Sequence, residues 1–447
     1  MTKRRHSDGE ETSRISKAVL VFVCLIPMIA AIAYGAVDPW VLGLLSILIA
    51  TMAVLWLLDA ALSGEFRYSS NTLQIPILAM IAIGCIQLLP FGPRSMDPYA
   101  TRFFLIRLAI CSVFFAAALA YIHGVSRRKA VAITIVVFGA LIGFFAILQR
   151  LAAPDGIYGL RPTPQAIPLG PFVNQHHFAA LMEMTSGVAL GLLFGTGLAR
   201  SRKLFVAIAA AIMGMAIMFT GSRGGLISYV AVIAFTAGAS LTRRGVDRHE
   251  HDVSARLRRN LLVASAAIAL VLVVLGSVLF LGGEGSLLRG IGLAYEQSSD
   301  VTNGRSHFWS IAWQVFLAHP ILGAGYDAFG VAFTRYDTWN GQFRVEQAHN
   351  DYLQILADGG VVTFVVVAGF VFLLLKKGVS AIVGAGRDID RSISTGALAG
   401  CFGILIHSFF DFPLRTPANG FFFLLLVVLA VERSSRAART SGTTNAR

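Results

Sequence analysis

The sequence is poor in charged residues. Only 14% of its 447 residues are Asp, Glu, Lys or Arg, whereas soluble domains average about 25%. Hydrophobic residues make up 56% of the chain, even before its 44 glycines are counted. A soluble fold of this composition would leave much apolar surface in water, and a disordered chain would be more polar. The composition therefore excludes a soluble enzyme and a disordered protein.

The apolar residues also lack the short alternating segments of a transmembrane β-barrel. They form blocks of about 18–25 residues, the length that a helix needs to cross about 30 Å of hydrocarbon. These blocks predict an all-α, polytopic membrane protein with about twelve transmembrane helices. The predicted spans lie near residues 18–36, 39–61, 72–91, 103–123, 130–152, 174–198, 204–221, 224–241, 260–283, 361–375, 392–410 and 418–431.

Cysteine is scarce, and each of the four cysteines falls inside a predicted span. These positions exclude a disulfide framework in the outer loops, and their spacing is not that of a zinc site. The first span follows a basic segment but lacks a small-residue cleavage site. We therefore predict a retained anchor rather than a removed signal peptide.

Lysine is confined to one side of the predicted topology. The chain has a net charge of +13, and its basic residues concentrate in the N-terminal segment and in alternate connections such as 127–129, 200–203 and 242–259. This positive-inside pattern predicts that both termini lie on the cytoplasmic side of the membrane. The basic charge thus indicates membrane lipids as partners and gives no support for nucleic acid.

The long outer segment between spans nine and ten divides the chain. We predict spans one to nine in 1–283, an outer loop in 284–360, spans ten to twelve in 361–432 and a cytoplasmic tail in 433–447. Loops of such length usually carry structure or function. Apolar residues recur at helical spacing from 305 to 319, and a second short helix is predicted from about 347–349 to Gly359-Gly360. The loop is therefore predicted to form a helical cap.

Three outer arginines are the first candidate functional residues. Arg161 precedes span six, Arg223 lies in the turn Gly221-Ser-Arg-Gly-Gly225, and Arg305 opens the cap helix. A guanidinium group presents a planar fork of donors that suits phosphate. The glycines beside Arg223 let backbone approach a ligand, at a helix start that favours anions. The alternative is a simple helix turn with a snorkelling arginine.

Histidines form a second set of candidates. His349 lies at a predicted helix N terminus, which should keep its ring neutral and able to act as a general base near pH 7. The alternative is a solvated loop histidine. His176 and His177 follow Asn174 at the start of span six. Only one of the two should face a cavity, because adjacent helical residues diverge by about 100°. Their spacing does not fit a zinc site.

Further ionisable residues occur in the last spans and in span six. His407, Asp411 and Arg415 lie at the outer end of span eleven, where they could orient a ligand or pair with one another. Glu183 lies deep within span six, so it should face protein or a water-filled cavity. The simplest alternative for Glu183 is a buried pair with an arginine.

A one-sided set of arginines with a neutral histidine fits a lipid-linked diphosphate substrate. Breaking a sugar–phosphate bond leaves a diphosphate, whose growing charge fixed guanidinium groups can stabilise without a metal. The acceptor hydroxyl needs a general base, and His349 is the candidate. The Asp388-Ile-Asp390 pattern lies in an inner loop between arginines. We therefore predict neither a metal nor another cofactor.

Six sequence blocks then occur in a distinctive order. They are Pro171-Phe-Val-Asn-Gln-His-His177-Phe, Ser222-Arg-Gly-Gly225, Gly304-Arg-Ser-His-Phe-Trp309, His319-Pro-x-x-Gly323-x-Gly325, Ala348-His-Asn-Asp351 and His407-Ser-x-x-Asp411-Phe-Pro413. In order, spacing and sidedness they resemble the blocks of the O-antigen ligase / O-antigen polymerase superfamily, bacterial envelope glycan transferases. The resemblance spans most of the chain and is strongest across about 170–415.

The resemblance implies a function and a set of site residues. Its members transfer a glycan from undecaprenyl diphosphate, at the periplasmic face, to lipid A–core, to another repeat unit or to a protein. By this likeness Arg223 and Arg305 hold the donor diphosphate, and His349 activates the acceptor hydroxyl. The remaining candidates for substrate binding are Arg161, Asn174, His177, Asn350, His407, Asp411 and Arg415.

Two alternatives remain open from the sequence. A polysaccharide polymerase would use the same donor chemistry with a different acceptor. A lipid or sugar transporter would use the arginines to bind cargo and Glu183 to couple protons, and it would tolerate loss of His349. The enzyme hypothesis makes a geometric demand instead: Arg223, Arg305 and His349 should converge at the outer leaflet around one hollow of pyrophosphate size.

Overall fold

The structure of the chain is a computed structural model that describes residues 14–90, 94–152, 155–163, 167–241, 253–291, 304–339, 345–385 and 388–432. The predicted tail at 433–447 and Arg387 lie outside these residues. The helices are α1 Arg14–Ile32, α2 Pro39–Ser63, α3 Gln74–Gln87, α4 Pro98–Tyr121, α5 Gly124–Ala152, α6 Gln175–Phe194, α7 Arg200–Thr220, α8 Arg223–Leu241, α9 Val253–Gly290, α10 Arg305–Ala318, α11 Phe329–Tyr336, α12 Asp351–Val383, α13 Asp388–His407 and α14 Pro417–Val431.

Short elements complete this list. Single 3-10 turns occupy Tyr34–Ala36 and Pro413–Arg415. Within the described ranges, the one sheet is a two-stranded antiparallel ribbon of β1 (Gly156–Ile157) and β2 (Arg161–Pro162), in which Ile157 pairs with Arg161. The sequence analysis predicted neither strand.

The helices confirm the prediction of an all-α polytopic membrane protein. Ten of those described are long and apolar enough to span a membrane. Two shorter apolar helices, α3 and α14, lie at the two remaining predicted spans. The cap helix predicted from Arg305 is α10, and it ends at Ala318 just before Pro320. The cap also contains α11, which the sequence analysis did not predict.

The second predicted cap helix is continuous with span ten. It forms the first turns of α12, and the helix changes direction at Gly360, whose backbone has φ 63° and ψ −171°. An added Cβ at Gly360 would collide with the carbonyl of Ile321. Glycine therefore permits both the left-handed backbone and the close approach of the preceding cap segment.

The centre of the membrane domain is an antiparallel pair, α6 and α13. Nearly every residue of α6 is buried, and glycines line its contact with α13. An added Cβ at Gly191 would meet the Cα of Gly396, and one at Gly187 would meet Gly400. Small residues of this kind let two transmembrane helices approach at backbone distance. This packing holds the start of α6 beside the end of α13.

Gln87, a buried residue at the end of α3, anchors the cap to the membrane domain. Its amide donates to the carbonyls of Leu322 (2.5 Å) and Asp358 (3.0 Å), and its oxygen accepts from the backbone of Tyr326 (3.0 Å). Gly323 packs against the backbone of Asp358 and Gly359 so closely that a side chain would collide there. The cap is thereby fixed above the ends of α3 and α12.

Candidate functional site

The carboxylate of Asp411 lies at the centre of the candidate site. It follows the end of α13, and the residue is 1% exposed. Its Oδ1 is 3.1 Å from His349 Nδ1 and accepts the backbone N–H of Phe412 at 2.9 Å. Its Oδ2 is 3.7 Å from a terminal nitrogen of Arg305. The carboxylate of Asp411 therefore connects the end of α13 with Arg305, the first residue of α10, and with His349, which precedes the N-cap residue of α12.

His349 is held in place by its backbone and by its partner. Its φ of 52° is left-handed, which is uncommon for a residue other than glycine. The next residue, Asn350, caps α12 by accepting from Tyr352 and Leu353, and it donates to the carbonyl of Phe409 at 3.1 Å. Because an ionised carboxylate only accepts, Nδ1 carries the hydrogen of the pair with Asp411. Nε2 of the neutral ring is then left to accept a proton.

His177 is the member of the His176-His177 pair that lies against this cluster. Its Nδ1 is 2.6 Å from the hydroxyl of Thr416, and its Nε2 is 3.8 Å from Asp411 Oδ1. The preceding Asn174 caps α6, since its side chain accepts from the backbone of His176 at 2.8 Å. The start of α6 thus places one buried imidazole beside the central carboxylate.

The pKa of Asp411 is held well below its usual value. Burial alone would raise this pKa, but the hydrogen bonds and charges of His177 and His349 outweigh burial. Asp411 is therefore a carboxylate at neutral pH. It can orient His349 and offset a positive charge that develops on the ring.

Arg223 starts α8 next to the same end of α13. Gly221 closes α7 in a left-handed conformation (φ 64°), and Ser222 caps α8 by accepting from the backbone of Gly225 at 3.1 Å. Gly224 packs on α13, where an added Cβ would lie 3.2 Å from the ring of His407. The side chain of Arg223 is exposed and forms no ion pair with any residue the structure describes. Its backbone adjoins the site, but its guanidinium does not contact Asp411.

His407 pairs with Glu183 inside the protein. The two side chains are 1% and 0% exposed, and His407 Nδ1 lies 3.2 Å from Glu183 Oε1. The arginine partner considered for Glu183 is therefore wrong, since the neighbour that α13 supplies is a histidine. Nε2 of His407 is buried and has no hydrogen-bond partner among the residues that the structure describes.

Arg415 belongs to a separate network that connects the cap and the membrane domain. It donates to Asp327 at 2.8 Å and to Asp358 at 2.6 Å, and Arg107 of α4 also pairs with Asp327. Burial would raise the pKa of Asp327, but the charges of Arg415 and Arg107 lower it. The three residues at the end of span eleven thus have different partners and do not pair with one another.

This network gives a stability prediction. Arg415→Gln leaves the nearly buried carboxylate of Asp358 without a cation, and removing one partner of such a pair costs about 3–5 kcal/mol. We expect a lower midpoint of thermal unfolding in detergent. Arg335→Gln, at an exposed arginine of α11, is the matched control and should leave the midpoint unchanged. Equal midpoints for the two variants would contradict the assignment of Arg415 as a structural tie.

Arg161 has partners outside the Asp411 cluster. Its guanidinium makes a bidentate pair with Asp38, at 2.5 and 3.1 Å, and lies over the ring of Tyr34. These contacts attach the β1–β2 ribbon to the turn between α1 and α2. Among the sequence-predicted residues, the structure thus places Arg305, His349, His177 and Asp411 together, and it places Arg161 elsewhere.

Sequence reasoning missed several partners that shape the site. Thr416 fixes the ring of His177, and Phe412 contacts the edges of His177 and His349, with ring centroids 4.6 and 4.8 Å away. Phe412 lies in the block from His407 to Pro413, of which only the ionisable members were candidates, and Thr416 follows that block by three residues. The Asp-Phe-Pro sequence was the available signal, because proline restricts the segment that brings these side chains together.

Part of the chain is similar to a known protein family. None of the curated proteins matches the chain. A family model described as O-antigen ligase matches residues 208–368, a region that contains Arg223, Arg305, His349 and Asn350, while His177 and Asp411 lie outside it. The match supports, over residues 208–368, the resemblance to the O-antigen ligase family that the sequence blocks indicated.

Proposed function

We propose that the chain transfers a glycan from undecaprenyl diphosphate to an acceptor hydroxyl at the periplasmic face of the inner membrane. The observation that carries the proposal is the single buried carboxylate of Asp411, which contacts both a candidate base, His349, and a candidate diphosphate ligand, Arg305. A base oriented by a carboxylate next to a fixed cation is the arrangement that glycosyl transfer without a metal requires.

His349 acts as the general base. Its Nε2 takes the proton of the acceptor hydroxyl as that oxygen attacks the anomeric carbon of the donor sugar. The bond from this carbon to the diphosphate oxygen breaks, and its electron pair leaves with undecaprenyl diphosphate. A single displacement inverts the sugar carbon. Asp411 holds the ring through Nδ1 and stabilises the imidazolium that forms.

The two arginines offset the charge of the leaving diphosphate. The Arg305 side chain is 27% exposed, and one of its terminal nitrogens faces Asp411, which leaves further donors for phosphate oxygens. Arg223 contributes an exposed guanidinium at the start of α8, where the free N–H groups and the helix dipole favour an anion. The neighbouring Gly224 and Gly225 keep side chains away from this helix start.

The proposed sidedness follows from the two ends of α6 and α13. Asn174 and His407 lie at the end that carries the site, whereas Lys203 and Arg391 lie at the opposite end and donate to carbonyls that close α6 and α12. The basic inner loops belong to that opposite end. The positive-inside rule then puts the site in the periplasm and both termini in the cytoplasm.

The test is a reconstituted transfer assay. Purified chain in proteoliposomes receives an undecaprenyl-diphosphate glycan and either lipid A–core or a second lipid-linked glycan as acceptor. A ligase yields glycosylated lipid A–core, a polymerase yields a longer lipid-linked glycan, and either product has an inverted linkage. Intact donor with both acceptors would overturn the proposal. Activity that a chelator removes and a divalent metal restores would contradict transfer without a metal.

A further inference from the structure

An exposed tryptophan of the cap lies beside the candidate site. We propose that Trp339, backed by His307, is a stacking platform for a sugar ring of the transferred glycan. This inference rests on the proposed function and adds to it a binding subsite for the carbohydrate part of the substrate. We call Trp339, His307 and Phe308 the aromatic platform.

The platform is rigid on its protein side. The rings of Trp339 and His307 are stacked, with centroids 4.1 Å apart and an interplanar angle of 4°. His307 Nε2 is 2.9 Å from Asp337 Oδ1, which also accepts the backbone N–H of Trp339 at 3.1 Å. Phe308 meets the indole edge-on at 5.9 Å. The indole is therefore fixed before any ligand binds, which lowers the entropic cost of binding.

The platform is close to the residues proposed for chemistry. An added Cβ at Gly304, the residue before Arg305, would lie 3.1 Å from the indole of Trp339. The ring centroid of Phe308 is 5.9 Å from that of Trp339 and also 5.9 Å from that of His349. Phe308 of the platform thus lies between the indole of Trp339 and the ring of the proposed base. A sugar stacked on Trp339 would be within reach of the reacting centre.

The chemistry of the platform favours a sugar over the diphosphate. Trp339 is 45% exposed. Covering a large aromatic side chain removes much apolar surface from water, which is favourable. The C–H bonds on one face of a pyranose carry partial positive charge and are attracted to the negative face of an indole. Asp337 repels an anion but can accept hydrogen bonds from sugar hydroxyls. We assign diphosphate binding to the cationic side chains of Arg305 and Arg223 instead.

A matched pair of tryptophans makes the experiment specific. Trp313 of α10 is 47% exposed, close to the value for Trp339, and packs with Phe316. It lies about 140° around the helix axis from Phe308, away from the platform face. Trp339→Ala and Trp339→Phe are compared with Trp313→Ala. The steady-state constants for the lipid-linked glycan donor are measured, and binding of the free glycan is followed by quenching of tryptophan fluorescence.

We expect Trp339→Ala to raise the KM for donor about tenfold, the size of a lost aromatic stack, with little change in kcat. Trp339→Phe keeps a smaller ring and should recover part of this loss. Trp313→Ala should behave as the unmodified chain, and fluorescence quenching by free glycan should vanish only in the two Trp339 variants. The midpoint of thermal unfolding of Trp339→Phe checks that the cap remains folded.

Two results would overturn the inference. One is a donor KM of Trp339→Ala equal to that of the unmodified chain. The other is an equal rise in donor KM in Trp339→Ala and Trp313→Ala, which would mean that each tryptophan only anchors the cap at the membrane interface. Failure of the proposed function is a different result: the unmodified chain then transfers nothing, while the fluorescence assay still tests glycan binding.

Discussion

His349→Ala is expected to lower kcat for glycan transfer by about 10²–10⁴-fold, the usual contribution of a general base. The acceptor hydroxyl then keeps its proton as it attacks, so the barrier to bond formation rises. Donor binding should be nearly unchanged, because His349 faces Asp411 and the diphosphate is assigned to the arginines. The measurements are single-turnover transfer in proteoliposomes and equilibrium binding of the lipid-linked donor.

The control is His123→Ala. His123 lies between α4 and α5, and its Nδ1 is 3.7 Å from Glu432, away from the contacts of Asp411. This variant should transfer at the unmodified rate. Asp411→Asn supplies a second comparison, since an amide can present its N–H to Nδ1 and so select the wrong tautomer. It should lower kcat while the KM for donor changes little. Unchanged transfer by His349→Ala would contradict the assignment of His349 as the general base.

The length of the hydrophobic blocks predicted most of the fold. A block of about 20 apolar residues has few stable forms in a bilayer, because every backbone polar group must be satisfied within the segment. The spacing of Ile311, Ala312 and Val315 likewise predicted the buried face of α10. The helix α11 was missed because it has eight residues, close to the glycines at 323 and 325, where single-segment periodicity is weak.

The partners within the site required information that local sequence does not hold. His349 and Asp411 are 62 positions apart, and Arg161 and Asp38 are 123 apart. The residue types predicted polar side chains at the outer face of the membrane. Which carboxylate each side chain contacts depends on the register of the packed helices. The same applies to Glu183. Its depth in span six indicated a buried partner, whereas the glycine contacts between α6 and α13 determine that the partner is His407.

The sequence argument for His349 also considered only one of its electrostatic neighbours. His349 lies two residues before Asp351, the first residue of α12, and the structure adds the carboxylate of Asp411 at 3.1 Å from its Nδ1. The carboxylate orients the ring through Nδ1 and can offset the positive charge that forms when Nε2 takes a proton. Position in a helix alone could not have predicted it.

Arg305→Ala is expected to lower kcat for transfer by at least about 10²–10³-fold, the cost of removing a fixed donor from a developing anion. The leaving diphosphate gains charge as its bond to the sugar breaks, and Arg305 is the cation of the site that also contacts Asp411. Arg305→Lys keeps the positive charge but loses the planar fork, so it should stay well below the unmodified rate. The same pair of variants at Arg223 should rank in the same order.

Arg335→Ala is the matched control, because it removes an exposed arginine of the cap from α11 and should leave kcat unchanged. Full activity of Arg305→Lys with no activity of Arg305→Ala would mean that a point charge is sufficient and that bidentate binding is wrong.

The comparison of the variants also distinguishes the roles of the two arginines. Arg305 is already held near Asp411, whereas Arg223 has no such partner in the described part of the chain, so we expect the ligand to order its side chain. Loss at Arg223 should therefore include weaker donor binding, and loss at Arg305 should fall mainly on kcat.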